Sequence, residues 1–382
     1  MDYTTQSLVF KLKKAIRYFD LYGPTRTLSK VRAQYHMKQV YAQAQPLPVP
    51  SNPTGRHVGL LGCGKFAYSN IAYYLRKNYG NVLRGVMDID LNKAVSLGTA
   101  YKADYYTTDS EAILQDPHID LVYIASNHAS HAEYAIRAIE LGKAVHIEKP
   151  HAVSLDQLQR LCEAMREHQG RVRLGFNRPD SQLGLRLREA FNSQRGSAMI
   201  NWFVAGHEIE ADHWYFAEQE GGRILGNLCH WIDFSLRLIP AENRFPVRII
   251  PTRSDKSDCD ISVSYVFGDG SIVTITFSAK GHTFEGVRET LNAHKGNVLA
   301  TLKDFKELRL DIVDQVIHKR LFYRDHGHER AVTNSYELLT NPALSEPEQM
   351  VWESGYLTLK TKEALDTFST IDVAAYGSPL LV

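Results

Sequence analysis

The stretch "RHVGLLGCGKFAYSNIAYYLRK" at residues 56–77 constrains the fold more than any other. A short β-rich apolar run at residues 57–61 leads directly into Gly62-Cys63-Gly64-Lys65-Phe66-Ala67, a GxGxxA pattern. Phe66, Ile71, Tyr74 and Leu75 then recur at helical spacing. Each small residue has a task in such a strand-to-helix turn. Gly62 permits the tight turn, Gly64 lets the backbone approach a pyrophosphate, and Ala67 allows the helix to pack closely on the strand while its N-terminus faces the anion. Strand, glycines and helix in this order predict an α/β Rossmann domain that binds a dinucleotide. The next strand, "NVLRGVMDID", ends in Asp88. A carboxylate there accepts hydrogen bonds from the adenosine ribose and repels a 2′-phosphate, so the expected cofactor is NAD, with Asp90 as the cap of the following helix.

Two more α/β units follow in "DPHIDLVYIASNHASHAEYAIRAIELGKAVHIEKP", read as a strand at 121–125, a helix at 130–141 that His131 helps to start, and a strand at 144–147. Their loops open on the carboxyl edge of a parallel sheet. Ser126, Asn127 and His128 follow the first of these strands, and Glu148 and Lys149 the second. Pro150 has no N–H for the ladder and must end it, so Lys149 is presented at a strand end on the same rim as Gly64.

The 382 residues suit two domains, and a net charge of +1 makes no case for nucleic acid as a partner. Four scattered cysteines without CxxC spacing read as reduced thiols of a cytoplasmic protein. With no run of 18 apolar residues and no signal core, neither a membrane span nor secretion is expected. The pair His326 and His328 lacks a third ligand at convincing spacing, so no metal site is expected. Residues 1–55 stand apart as a basic helical leader and a Pro-rich linker. Phe10, Ile16, Phe19 and Leu21 interleave with Lys11, Lys13, Lys14 and Arg17 in one amphipathic helix ending near Gly23-Pro24, before "QPLPVPSNPTG". Two readings of the leader stay open: an arm docked on its own subunit or a neighbour, and weak peripheral attachment to an anionic membrane surface.

The ordered set GxGxxA, "YIASNHASHAEYA", "GKAVHIEKP", "LGFNRP" and "GGRILGNLCHWIDF" resembles the Gfo/Idh/MocA family of NAD(P)-dependent sugar oxidoreductases over roughly residues 56–310. Within it, "DHWYFAEQEGGRILGNLCHWIDF" and "YGPTRTL" resemble a bacterial branch associated with surface polysaccharide synthesis. The resemblance implies a Rossmann domain (56–176), a substrate and oligomerisation domain on an open, mostly antiparallel sheet (177–344), and a C-terminal helix and tail (345–382). It also implies a homo-oligomer, dimer or tetramer, built through the free face of that sheet. Alternating β-branched segments from "SAMINWFVAG" to "FKELRLDI", with turns at Gly268-Asp269-Gly270 and Lys295-Gly296-Asn297, support such a sheet independently.

Oxidising a secondary alcohol needs a hydride placed against the nicotinamide and a base for the hydroxyl proton. Lys149 can stabilise the developing alkoxide, and His230 can take the proton at neutral pH. By resemblance these match the lysine of the EKP motif and the histidine of the substrate-domain motif. The family's aspartate four residues before that histidine is replaced by Gly226, leaving Asp233 and Asn227 as candidate orienters. The resemblance also gives Asn127 and His128 to the nicotinamide ribose. Asn177 and Arg178 follow an apolar strand, where Arg178 suits either a substrate anion or an interdomain ion pair. His213 and Trp214 suit a sugar site, with a buried structural Trp214 as the alternative. The expected activity is NAD-dependent oxidation of a sugar or nucleotide sugar. The alternatives are a redox-neutral enzyme that retains NAD and a non-catalytic NAD-binding regulator.

Overall fold

The computed structural model describes residues 4–210, 212–254, 260–280 and 284–375. The chain opens with α1 (Leu8–Tyr22) and α2 (Pro24–His36). Strands β1 (Val58–Leu61), β2 (Leu83–Met87), β3 (Tyr105–Thr107), β4 (Leu121–Ile124), β5 (Ala144–Ile147) and β6 (Val172–Leu174) alternate with α3 (Ala72–Tyr79), α4 (Leu91–Tyr101), α5 (Glu111–Leu114), α6 (His131–Glu140) and α7 (Leu155–Glu167). After α8 (Gln182–Asn192), β7 (Ala198–Ala205) and α9 (Cys229–Leu236) comes a run of strands: β8 (Val247–Arg253), β9 (Asp260–Val266), β10 (Ile272–Ser278), β11 (Arg288–Lys295), β12 (Val298–Lys303), β13 (Glu307–Ile312) and β14 (Gln315–Arg320). α10 (His328–Tyr336), α11 (Glu348–Thr367) and β15 (Ile371–Val373) follow.

The fold is α/β with two sheets. The first is parallel throughout its six strands, in the order β3-β2-β1-β4-β5-β6, and four of them are buried at every residue. That explains why they read as continuous apolar runs: helices cover both faces. The second has nine strands in the order β14-β13-β12-β11-β7-β10-β9-β8-β15, antiparallel except where β10 meets β7. Its strands alternate. On β7, Ala198, Ile200, Trp202 and Val204 turn inward while Met199, Asn201 and Phe203 face out, so one face of the sheet stays open. The Gly268-Asp269-Gly270 and Lys295-Gly296-Asn297 turns close the β9-β10 and β11-β12 hairpins.

Residues through Gly175 and the segment Glu329–Val351 form one compact unit; Phe176–His328 and the residues from Trp352 onward form the other. The segment 329–351 returns to the first unit, and over residues 329–344 this departs from the sequence reading, which gave 177–344 to the second domain. Val332 and Leu338 sit in the first unit's core beside Val58, Leu60, Ile71 and Val86, and the Tyr123 hydroxyl donates to the Val332 carbonyl at 2.7 Å. Periodicity marks such a segment as amphipathic but does not say which core receives it.

The leader holds a second helix that the sequence reading missed. Gly23, at φ +79°, breaks the chain between α1 and α2, and Pro24 starts the latter. α2 escaped notice because the residues it buries are Arg26, Thr27, Ser29, Ala33 and His36, a face without an apolar stripe.

Candidate functional site

The carboxyl ends of β1, β2, β4 and β5 bring Gly62, Gly64, Asp88, Ser126, Asn127, Glu148 and Lys149 to one edge of the parallel sheet. Gly62 has φ +91°, and a Cβ there would run into the Ala125 carbonyl, so no other residue fits the turn. A Cβ on Gly64 would meet nothing within 4 Å. The protein therefore leaves open the space that a pyrophosphate needs against this loop, and the residues fit a dinucleotide. The helix after the loop begins with a π turn (Ala67–Ile71) and continues as α3. Ala67 is buried against the strand layer, Lys65 is exposed and Phe66 half-buried.

Asp88 stands at the tip of β2. Its Oδ2 accepts the Cys63 N–H at 2.7 Å and its Oδ1 the Asp90 N–H at 2.9 Å. Each oxygen keeps a lone pair for a ribose hydroxyl. Asp90, not Asp88, caps α4, accepting the Asn92 N–H at 3.1 Å.

A wholly different part of the chain supports the same loop. His36 of α2 places Nε2 2.6 Å from the Cys63 carbonyl and Nδ1 2.9 Å from the Ser96 hydroxyl, while its ring stacks on Tyr68 at 4.5 Å. Burial lowers its pKa. The neutral ring donates from Nε2, because a carbonyl only accepts, and receives the Ser96 hydroxyl at Nδ1. The leader is thus fixed to the GxGxxA loop by a residue that no sequence spacing singled out.

The EKP segment is anchored from below. His146, on the same face of β5 as Glu148 two residues on, places Nε2 3.1 Å from Glu148 Oε1, and its Nδ1 lies 2.7 Å from the Ser335 hydroxyl of α10. Glu148 is buried at 6% exposure, whereas Lys149 is half-buried and precedes a cis peptide to Pro150. His131 starts α6 as expected and also ties two loops together: Nδ1 lies 2.8 Å from the Pro150 carbonyl and Nε2 3.2 Å from the Ser126 carbonyl. In the Ser126 loop, Ser130 donates to Asn127 Oδ1 at 2.7 Å. Asn127 is exposed but His128 is buried at 3% exposure, so Asn127 is the accessible side chain of the pair assigned to the nicotinamide ribose.

Three expected site residues of the second unit are committed to other partners. Arg178 does not present a free guanidinium: its Nε lies 2.7 Å from Glu289 Oε2, and its charge sits 4.8 Å from the Trp231 ring centre. Both partners belong to this unit, so the pair is internal to it. Asp233 is fully buried, paired with Arg237 at 2.8 Å and accepting the Ser354 hydroxyl at 3.1 Å. A carboxylate neutralised and desolvated in this way is a structural group, not the orienter of His230 that the sequence suggested. Asn177 donates to the His326 carbonyl at 2.6 Å and is likewise held in the scaffold.

His230 is half-buried at the start of α9, edge-on to Phe176 at 5.9 Å, just past a π turn (Ile224–Leu228) that contains Gly226 and Asn227. The Asn227 Oδ1 is buried and lacks a hydrogen-bond partner among the described residues. His213, Trp214 and Tyr215 form an aromatic group with ring centres 4.6 to 5.6 Å apart, and Trp214 is 45% exposed, which excludes the buried structural role.

Glu289 is the residue that sequence reasoning missed here, and His326, read there only as half of a histidine pair without a third metal ligand, is its neighbour. Glu289 Oε2 accepts both Arg178 and, at 2.7 Å, Trp231 Nε1, while His326 Nε2 lies 3.3 Å from Oε1. Burial alone would raise the Glu289 pKa, but the Arg178 guanidinium and His326 bring it down to about 2. This carboxylate fixes the residue next to His230. The "RET" around Glu289 carried no signal beyond a strand pattern.

Replacing Gly64 with valine tests the first unit's loop. Gly64→Val leaves the fold intact, since the added carbons enter open space, and weakens NAD binding by at least about tenfold, a loss of about 1.4 kcal/mol. Calorimetric titration checks this; unchanged affinity would rule out the loop as the pyrophosphate site.

Residues 56–176 match the Gfo/Idh/MocA model, described as an oxidoreductase family with an NAD-binding Rossmann fold. The chain is similar to "Inositol 2-dehydrogenase" of Pseudomonas fluorescens, with 34% identity over 53% of this chain and 60% of that one. It is also similar to "Oxidoreductase P35" of Formosa agariphila, with 32% identity over 35% of this chain and 42% of that one. It thus spans about half the length of these curated relatives. Among solved structures, levoglucosan dehydrogenase in complex with NADH superposes with a TM-score of 0.71 at 16% identity, covering 84% of this chain and 99% of that one; this likeness shows the fold.

Proposed function

Since residues 56–176 carry the NAD-binding Rossmann fold of the Gfo/Idh/MocA oxidoreductases, we propose that the protein is an NAD-dependent dehydrogenase acting on a secondary hydroxyl of a sugar or nucleotide sugar. The observation that carries this reading is Lys149, held at the end of β5 beside the anchored Glu148, on the sheet edge that also bears Gly64 and Asp88. NAD supplies the hydride acceptor when bound. Lys149 donates to the substrate oxygen and stabilises the charge that grows on it as the C–H bond breaks. His230 takes the hydroxyl proton. With Asp233 committed to Arg237 and Ser354, its carboxylate is not available to orient that imidazole. Ser126 and Asn127 take the nicotinamide ribose, and the open aromatic group of His213, Trp214 and Tyr215 supplies the apolar surface on which a sugar ring packs.

The named activities of the inositol and levoglucosan dehydrogenases support a polyhydroxylated substrate. The likeness of the leader and of the "DHWYF" segment to a surface-polysaccharide branch supports a nucleotide sugar within that class. The open face of the second sheet, where Met199, Phe203 and Leu299 are exposed, is the surface we assign to self-association. The direct test is a panel of sugars, inositols and nucleotide sugars incubated with the NAD-loaded protein while NADH formation is followed. If NAD binds tightly and no member of the panel reduces it, the dehydrogenase reading fails.

Cofactor choice gives an independent check. NAD is expected to bind in clear preference to NADP, because a carboxylate at the tip of β2, as Asp88 is, repels a 2′-phosphate. In Asp88→Ala the preference narrows by about tenfold or more, the equivalent of about 1.4 kcal/mol. Equal affinities of the wild type for the two cofactors would overturn the assignment of Asp88.

A further inference from the structure

The leader does not bury its apolar stripe. On α1 the side chains of Leu8, Val9, Leu12, Ile16 and Phe19 are 50–82% exposed. At 100° per residue these five fall within one arc of about 100°. The opposite side of the helix, with Lys14 and Leu21, is the buried one. α2 adds a second outward row, Leu28, Val31 and Tyr35, at spacings of three and four. Between the two helices lies a groove of about 370 Å³ lined by Leu8, Leu12, Val31 and Tyr35 together with Lys11, Lys14 and Lys30.

Charge decides what can cover this face. Lys11, Lys13, Arg17, Lys30, Arg32 and Lys38 are exposed or half-buried around it, and Asp20 is the one acidic side chain among the described residues of the two helices. Lys14 and Arg26 are turned inward, the former near the Tyr18 ring and the latter over Tyr73 and Tyr74 with a hydrogen bond to Asn70. Two copies pressed together through such a face would set like charges against each other. A surface that is apolar beneath and anionic above satisfies both halves of it at once.

We infer that the α1-α2 hairpin is a peripheral membrane-docking element that lies on an anionic phospholipid bilayer, with its apolar rows among the acyl chains and its lysines and arginines at the headgroups. His36 and Ala33 meanwhile hold the hairpin to the nucleotide-binding unit, so docking would carry that unit to the membrane surface.

The full chain is tested by co-sedimentation with phosphatidylcholine vesicles with and without phosphatidylglycerol, at low and raised ionic strength. Partitioning is expected only on the anionic vesicles and to weaken with salt. Leu12→Asp with Ile16→Asp, and separately Lys13→Glu with Arg17→Glu, should each lower the partition coefficient by at least about tenfold while NAD affinity stays unchanged. The charge-reversal pair leaves the apolar rows in place, so it tests docking even if the first pair misfolds. No binding to either vesicle, or binding that neither pair alters, overturns the inference. So does a stable dimer that the Leu12 and Ile16 substitutions dissociate, which would give the face to a second copy.

Discussion

Lys149→Ala is expected to lower turnover by roughly 10² to 10⁴-fold, the range for losing a group that handles a proton or the charge it leaves. The substitution removes an ammonium from a strand end whose neighbours are fixed without it. Glu148 is held by His146, His146 by Ser335, and the Pro150 carbonyl lies against His131. The loop should therefore keep its shape, and NAD should bind far better than turnover suggests. Single-turnover reduction of bound NAD by the identified sugar separates the chemical step from binding. His230→Ala should cost less, because an imidazole without a carboxylate at position 226, and with Asp233 engaged elsewhere, is a less pre-organised base. A Lys149→Ala variant that turns over at the wild-type rate would remove this residue from the chemistry. A larger loss in His230→Ala would make the histidine the principal group.

Glu289→Ala should cost roughly 3–5 kcal/mol of stability, since it leaves the Arg178 charge buried with no counter-charge. The carboxylate is 2% exposed and receives Arg178 and Trp231 on a single oxygen. Glu289→Gln keeps an oxygen for Trp231 but loses the charge, and should fall between wild type and alanine. The same group makes stability depend on acid. Its folded pKa is about 2 against an ordinary value of 4.5. A carboxyl with a depressed folded pKa contributes its full stabilisation above the unfolded value, and that contribution is lost as pH falls from there towards the folded one. Urea unfolding across this window should show the wild type losing more stability than Glu289→Gln does. Equal acid sensitivity of the two proteins would mean that another carboxylate carries the effect. Because Trp231 adjoins His230, the variant should also lose turnover under conditions where it remains folded.

What the sequence determined by itself is local. GxGxxA works as a signal because the turn, the open space at Gly64 and the helix start all lie within six consecutive residues, and backbone sterics act at that range. Lys149 was legible for the same reason, since Pro150 must end a ladder wherever the strand lies. The alternation on β7 to β13 likewise follows from period-two geometry and a one-sided core. Charged side chains were not legible in this way. Arg178 and Asp233 look available in the sequence, and only closure of the chain shows that Glu289, 111 residues on, and Ser354, 121 residues on, already engage them. His36 meets the Cys63 carbonyl across 27 residues, and Ser335 meets His146 across 189. A residue's type states what it can donate or accept, but burial gives the interaction its weight: the desolvation cost of a charge is set by the partner it finds. That partner is chosen by how the elements pack, which no short window of sequence encodes.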